Sequence, residues 1–228
     1  MNAAPMHSTR PEPPVTIPAG HARLEGILEL PPAPKGIVVF SHGSGSGRYS
    51  PRNHFVAAKL RSAGLGTLLL DLLTPDEDAS YETRFDIPLL TERLGHAVRY
   101  VRSRQETRAL PVGLFGASTG AASALRVAAE MPDAVSAVVS RGGRPDLAGE
   151  GSLARVNAPT LLIVGGEDFE VVALNRAAHA LLAHCERRLV LVPGATHLFE
   201  EPGTLAEAAR LATDWFARHL WKNRPAST

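Results

Sequence analysis

The residues with the clearest chemical potential form one pentapeptide, Gly116-Ala117-Ser118-Thr119-Gly120, a G-x-S-x-G pattern. An apolar run, Leu110 to Phe115, precedes it, and an alanine-rich stretch, Ala121 to Glu130, follows it. That order predicts a strand, a sharp turn and a helix, the setting in which such a serine becomes an exposed nucleophile. Glycines at 116 and 120 remove the β-carbons that would collide where strand and helix meet. The helix start aims unpaired N–H groups and a positive dipole end at developing negative charge. The same five residues also suit a plain small-residue turn, so the pattern needs partners elsewhere in the chain.

Serine is a poor nucleophile at neutral pH and needs a base; a histidine base in turn needs an acid to hold its tautomer and stabilise its charged form. Asp168 follows the apolar run Thr160 to Val164, and His197 follows Arg188 to Val192. The order Ser118, Asp168, His197 is that of the α/β-hydrolase triad. Taken alone, His197 reads as a surface or packing residue; its place after the last strand changes that. Two other acids compete with Asp168: its neighbour Glu167, and Asp146 in the loop one strand earlier. Asp168 comes almost directly after its strand, on a short, stiff mount. Asp146 follows Gly142 and Gly143, a looser one, although Pro145 stiffens it.

These side chains need a scaffold that brings them to one place. Ala22–Leu30 alternates loosely and suits an early antiparallel strand. Continuous apolar runs at 36–40, 66–70, 110–115, 134–140, 160–164 and 188–192 suit strands buried on both faces. Helical patterns lie between them. One runs from Ser50 (N-cap) and Pro51 to about Ala63; others follow Asp86, span 121–130 and 170–183, and start at Thr204 with Glu207 as a capping box. Strands alternating with helices predict an α/β fold: a mainly parallel sheet with helices on both faces and no large cap domain. Residues 1–14, proline-rich and polar, read as a disordered tail, and 15–228 as a single domain. Ligands of open α/β sheets sit at the carboxyl ends of the strands. There the chain places Ser41–Gly47, Asp71, Ser118, Arg141–Asp146, Asp168 and His197, with loops 72–86 and 141–150 expected to shape the pocket. Arg141 and Arg144 are either ordinary surface charges or contacts for an anionic substrate group such as a carboxylate.

Composition excludes several alternatives. A net charge of +1 in 228 residues leaves no electrostatic footprint for nucleic acid or an anionic membrane. The single cysteine, Cys185, rules out an intrachain disulfide framework, and its helical-looking setting suggests packing. No apolar run approaches the ~20 residues of a membrane span, and the first residues lack a signal-peptide core, so a cytoplasmic location is expected. No cofactor or metal is expected, and His42 has no partner histidine at metal-site spacing.

On these motifs the sequence resembles the α/β-hydrolase superfamily from about residue 20 to the end, and within it the compact dienelactone-hydrolase-like group. The resemblance implies an oxyanion hole built from two N–H groups, that of Ser44, after the His42-Gly43 pair, and that of Thr119, after the nucleophile. It implies a buttressing or substrate-contact role for His42. Dienelactone hydrolases proper carry cysteine where this chain has Ser118, which weakens transfer of the dienelactone substrate but not of the fold. The expected function is cleavage of small soluble carboxylic esters or lactones through an acyl-enzyme on Ser118, by a monomer or homodimer.

The same triad also serves thioesterases, acyltransferases and peptidases, and a hydrolase fold can bind without catalysing. Dinucleotide binding fits poorly. The glycines at 43, 45 and 47 run G-x-G-x-G, and Pro51 starts the helix too far beyond them to meet a pyrophosphate.

Overall fold

The computed structural model describes residues 14–221; most of the predicted N-terminal tail lies outside that range. In chain order the elements are β1 (Val15–Ala19), β2 (Ala22–Glu29), β3 (Ile37–Ser41), α1 (Pro51–Ser62), β4 (Gly66–Leu70) and the short α2 (Pro75–Asp78). They continue with α3 (Ile87–Ser103), β5 (Val112–Ala117), α4 (Thr119–Glu130), β6 (Ala137–Arg141) and the short α5 (Glu150–Leu153). The last are β7 (Thr160–Gly165), α6 (Phe169–Leu181), β8 (Arg187–Val192) and α7 (Thr204–Leu220).

The eight strands form one sheet in the order β1-β2-β4-β3-β5-β6-β7-β8. β1 and β2 pair antiparallel, as do β2 and β4; every later pairing is parallel. β3 to β7 are buried along their whole length, which explains their continuous apolar runs. One face of the sheet packs on α1 and α7 through Val56, Leu60, Trp215 and Phe216. The other packs on α3 and α4 through Leu90, Leu94, Ala124 and Leu125. Among the described residues no inserted cap covers the carboxyl ends of the strands.

Register positions the chemistry. Ser41 pairs with Gly116, setting the loop after β3 beside the G-x-S-x-G turn, and Ala117 pairs with Arg141, setting the end of β6 on its other side. Gly165 pairs with Val192, so the loops carrying Asp168 and His197 leave neighbouring strands together.

Three local features depart from the expectations. α7 is entered from Gly203 in a left-handed conformation, and the Thr204 hydroxyl donates to the Glu201 carbonyl, so no capping box forms with Glu207. Cys185 lies in the turn after α6, not in a helix, because the chain leaves helical geometry at Leu182. β1 is an additional strand: Ile17 and Ala19 are its buried residues, too few for a sequence pattern.

Candidate active site

Ser118 stands at φ 50°, ψ −124°, between the last residue of β5 and the first of α4. A non-glycine residue persists there only when its surroundings over-determine it. Those surroundings are visible. Ser118 N–H donates to the Arg141 carbonyl at 3.3 Å, and its own carbonyl accepts from Arg144 N–H at 3.0 Å and Ala121 N–H at 3.1 Å. A β-carbon on Gly120 would lie 2.1 Å from the Ser41 carbonyl oxygen, and one on Gly116 2.5 Å from the Ala121 α-carbon. Glycine at both positions is therefore a packing requirement of this strand-to-helix turn, the elbow of the chain at Ser118.

His197 Nδ1 donates to Asp168 Oδ2 at 2.7 Å, with the carboxylate the more buried partner. That bond leaves Nε2 as the acceptor in the neutral ring. The two loops are held in contact by the backbone. Gly166 N–H donates to the Val192 carbonyl at 2.8 Å and Glu167 N–H to the Ala195 carbonyl at 3.0 Å. A β-carbon on Gly165 would meet the Ala195 carbonyl at 2.4 Å. Glu167 is exposed. Asp146 is engaged elsewhere, accepting from Arg144 Nε at 2.9 Å and Nη2 at 2.7 Å. Ser118 and His197 line one cavity of about 250 Å³. Among the described residues no hydrogen bond joins Ser118 Oγ to the ring, a looseness common before substrate binds.

The loop after β3 presses on Ser118: a β-carbon on Gly43 would lie 2.9 Å from that of Ser118. Ser44 N–H, expected to face an oxyanion, donates to Thr119 Oγ1 at 3.0 Å. Thr119 N–H, at the first position of α4, has no carbonyl one turn earlier to bond within the helix.

His42 is not available to substrate. It is buried, Nδ1 donates to the Gly43 carbonyl at 2.9 Å, and Nε2 accepts from Leu72 N–H at 3.0 Å. Both nitrogens are used in tying the β3 loop to the end of β4. Burial holds its pKa below the usual histidine value, against the opposing pull of the Gly43 carbonyl. Asp71 performs a related task, accepting from Arg48 N–H at 2.6 Å and pairing with its guanidinium.

The two arginines differ. Arg144 is closed on Asp146 and does not line the Ser118 cavity. Arg141 does, and is 7% exposed. Its Nε and Nη1 are buried without a partner. Desolvation, then the nearby positive charge of Arg52, push its pKa down to about 10, so it remains charged at neutral pH. It lies 5.8 Å from the Phe199 ring centroid. A cation–π contact contributes about 0.5–2 kcal/mol, against several for burying an ion. Sequence spacing put Arg141 at a strand end but carried no sign that it would be buried and unpaired. Loop 72–86, expected to shape the pocket, lines an adjoining groove of about 720 Å³ through Leu73, Thr74 and Asp78, and that groove shares Ser44, Ser46, Ser50 and Arg52 with the Ser118 cavity.

The dienelactone hydrolase family model matches residues 24–221. The chain belongs to the dienelactone hydrolase family. A dienelactone hydrolase from Anabaena variabilis ATCC 29413 is 52% identical, with a TM-score of 0.88 over 91% of this chain and 97% of that one. XC6422 from Xanthomonas campestris, described as an α/β serine hydrolase without a lid, has a TM-score of 0.75 at 21% identity, over 93% and 96% of the two chains. That likeness supports the fold alone. Two curated relatives, from Mycobacterium tuberculosis strains CDC 1551 and H37Rv, are 55% identical over 207 residues and carry a provisional phosphoribosyl transferase name. Those residues are 90% of this chain and 46% of each relative, so the chain spans about half the length of the curated relatives it matches.

Proposed function

We propose that this chain is a serine hydrolase of small carboxylic esters or lactones, working through an acyl-enzyme on Ser118. The observation that carries the reading is the strained Ser118 facing, across one small cavity, a histidine whose far nitrogen is bonded to a carboxylate. His197 Nε2 takes the Ser118 proton as Oγ attacks the acyl carbon, then returns it to the leaving alcohol. Asp168 keeps the ring in the accepting tautomer and stabilises the imidazolium. Water repeats the cycle on the acyl-enzyme.

The tetrahedral oxyanion is met by Thr119 N–H and by Ser44 N–H, the latter exchanging the Thr119 hydroxyl for the substrate oxygen. His42 acts through the loop it braces, as a positioning residue. No lid among the described residues shelters a long acyl chain, so small substrates fit best. The phosphoribosyl transferase name belongs to proteins about twice this length and brings no activity to this chain.

An organophosphonate probe followed by peptide mass analysis should find the adduct on Ser118. Labelling elsewhere, or undiminished turnover by Ser118→Ala, overturns the reading.

A further inference from the structure

The cavity beside Ser118 holds a charge that ester hydrolysis leaves unused. Arg141 ends β6 with no ion pair among the described residues, and two of its nitrogens are buried and unpartnered. The other deeply buried arginine shows what the fold does when a guanidinium is structural. Arg93, fully buried, donates to the Ala19 carbonyl at 2.5 Å and to Glu77 at 2.8 Å. Arg141 has no such carboxylate among the described residues, although it packs beside the nucleophile.

The start of α1 adds to the positive field. Ser50, Arg52 and Asn53 line the same cavity, and they are the cap and first turn of the 12-residue helix α1. Its N-terminus carries about +0.5 of a charge. Among the described residues Arg52 meets only Glu200, at 3.2 Å, through a carboxylate that is 64% exposed and largely screened. Asp168, the other carboxylate at the cavity's edge, is taken up by His197 Nδ1. Two guanidiniums and a helix end are more than Glu200 neutralises, whereas a phosphate monoester carries about −1.5 to −2 at pH 7. Asn53 has a buried amide oxygen without a donor, which suits a hydroxyl on the same ligand.

We propose that this cavity binds a phosphate monoester on the substrate, held by Arg141 and Arg52 at the N-terminus of α1, so that the ester cleaved is that of a small phosphorylated compound. The substrate assignment rests on the serine-hydrolase reading; the phosphate site does not.

Inorganic phosphate tests the site alone. It should raise the Tm of the protein by about 5–10 °C at a hundredfold excess over its Kd, while acetate at equal ionic strength does not. Arg141→Met should lose that shift and, without phosphate, melt above the wild type because a buried unpaired charge is gone. Arg52→Met, on the surface, should weaken phosphate binding about tenfold and covers the case of an unfolded Arg141 variant. Equal shifts with acetate, or a phosphate shift retained in both variants, overturn the site. The acetyl esters of ethanol, glycolate and 2-hydroxyethyl phosphate test the substrate. The phosphate ester should lead the carboxylate at least tenfold in kcat/KM, and Arg141→Met should collapse that ratio toward one. A carboxylate ester turned over equally well overturns the phosphate assignment. Hydrolysis of none of the three, with the phosphate shift intact, supports the site and overturns the hydrolase reading.

Discussion

Asp168 Oδ2 and His197 Nδ1 are 2.7 Å apart, yet they stand on loops after different strands and are 29 residues distant in sequence. Their meeting depends on Gly165, which has no β-carbon to hold off the Ala195 carbonyl, and on the Glu167–Ala195 backbone bond. The arrangement separates the two candidate acids. Asp168→Asn should lower kcat by orders of magnitude, about 10⁴ as for the equivalent change in a serine-protease triad, while the protein stays folded. Asp146→Asn, which only loosens Arg144, should stay within about tenfold on the scale of a partly exposed ion pair. Steady-state kinetics of both variants at one pH checks this; a crippled Asp146 variant with an active Asp168 variant reverses the assignment.

Gly43 offers a sharper probe of the proposed oxyanion hole than any polar residue of its loop. Its added β-carbon would lie 2.9 Å from that of Ser118, so Gly43→Ala should push the loop away from Ser118. The expected loss is about 10²–10³ in kcat, as for a lost oxyanion donor. Ser44→Ala, which keeps the main-chain N–H, should retain most activity. Comparable rates for Gly43→Ala and the wild type contradict this placement.

His42 predicts an acid limb in stability. Its folded pKa lies below the ordinary 6.5, because burial disfavours the charged ring. The unfolded chain therefore takes up the proton first, and the stability held above pH ~6.5 is lost as pH falls toward the folded value. Melting curves between pH 5 and 8 should show Tm falling on acidification, and His42→Ala should flatten that part of the profile. The same variant leaves Leu72 N–H and the Gly43 carbonyl unpaired, at roughly 1–3 kcal/mol each. A wild-type Tm that rises on acidification over this range has the wrong sign for the argument.

The uncovered site predicts chain-length selectivity. With no lid among the described residues to shelter a long acyl chain, acetyl and propionyl esters should exceed octanoyl esters in kcat/KM by about tenfold or more. A p-nitrophenyl ester series measures it directly, and a preference for the long chains refutes it.

The fold class, the family resemblance and the elbow were legible in the sequence because each depends on local chemistry. Continuous apolar runs mark strands buried on both faces, and Gly116 and Gly120 bracket Ser118 wherever a strand must turn sharply into a helix. The order of Asp168 and His197 was equally plain. What remained open concerned contacts between segments far apart in the chain. Asp168 and Asp146 both follow strands; only the packing of the β7 and β8 loops brings the first to His197, while Arg144 takes the second. Of the two roles open to His42, buttress or substrate contact, the bond from Leu72 N–H to its second nitrogen favours the buttress. Arg141 and Arg144 look alike three residues apart, but one turns into the cavity and the other onto Asp146. Residue type and spacing determine which groups can do chemistry; burial and the partner each finds depend on long-range packing, and tertiary structure alone decides them.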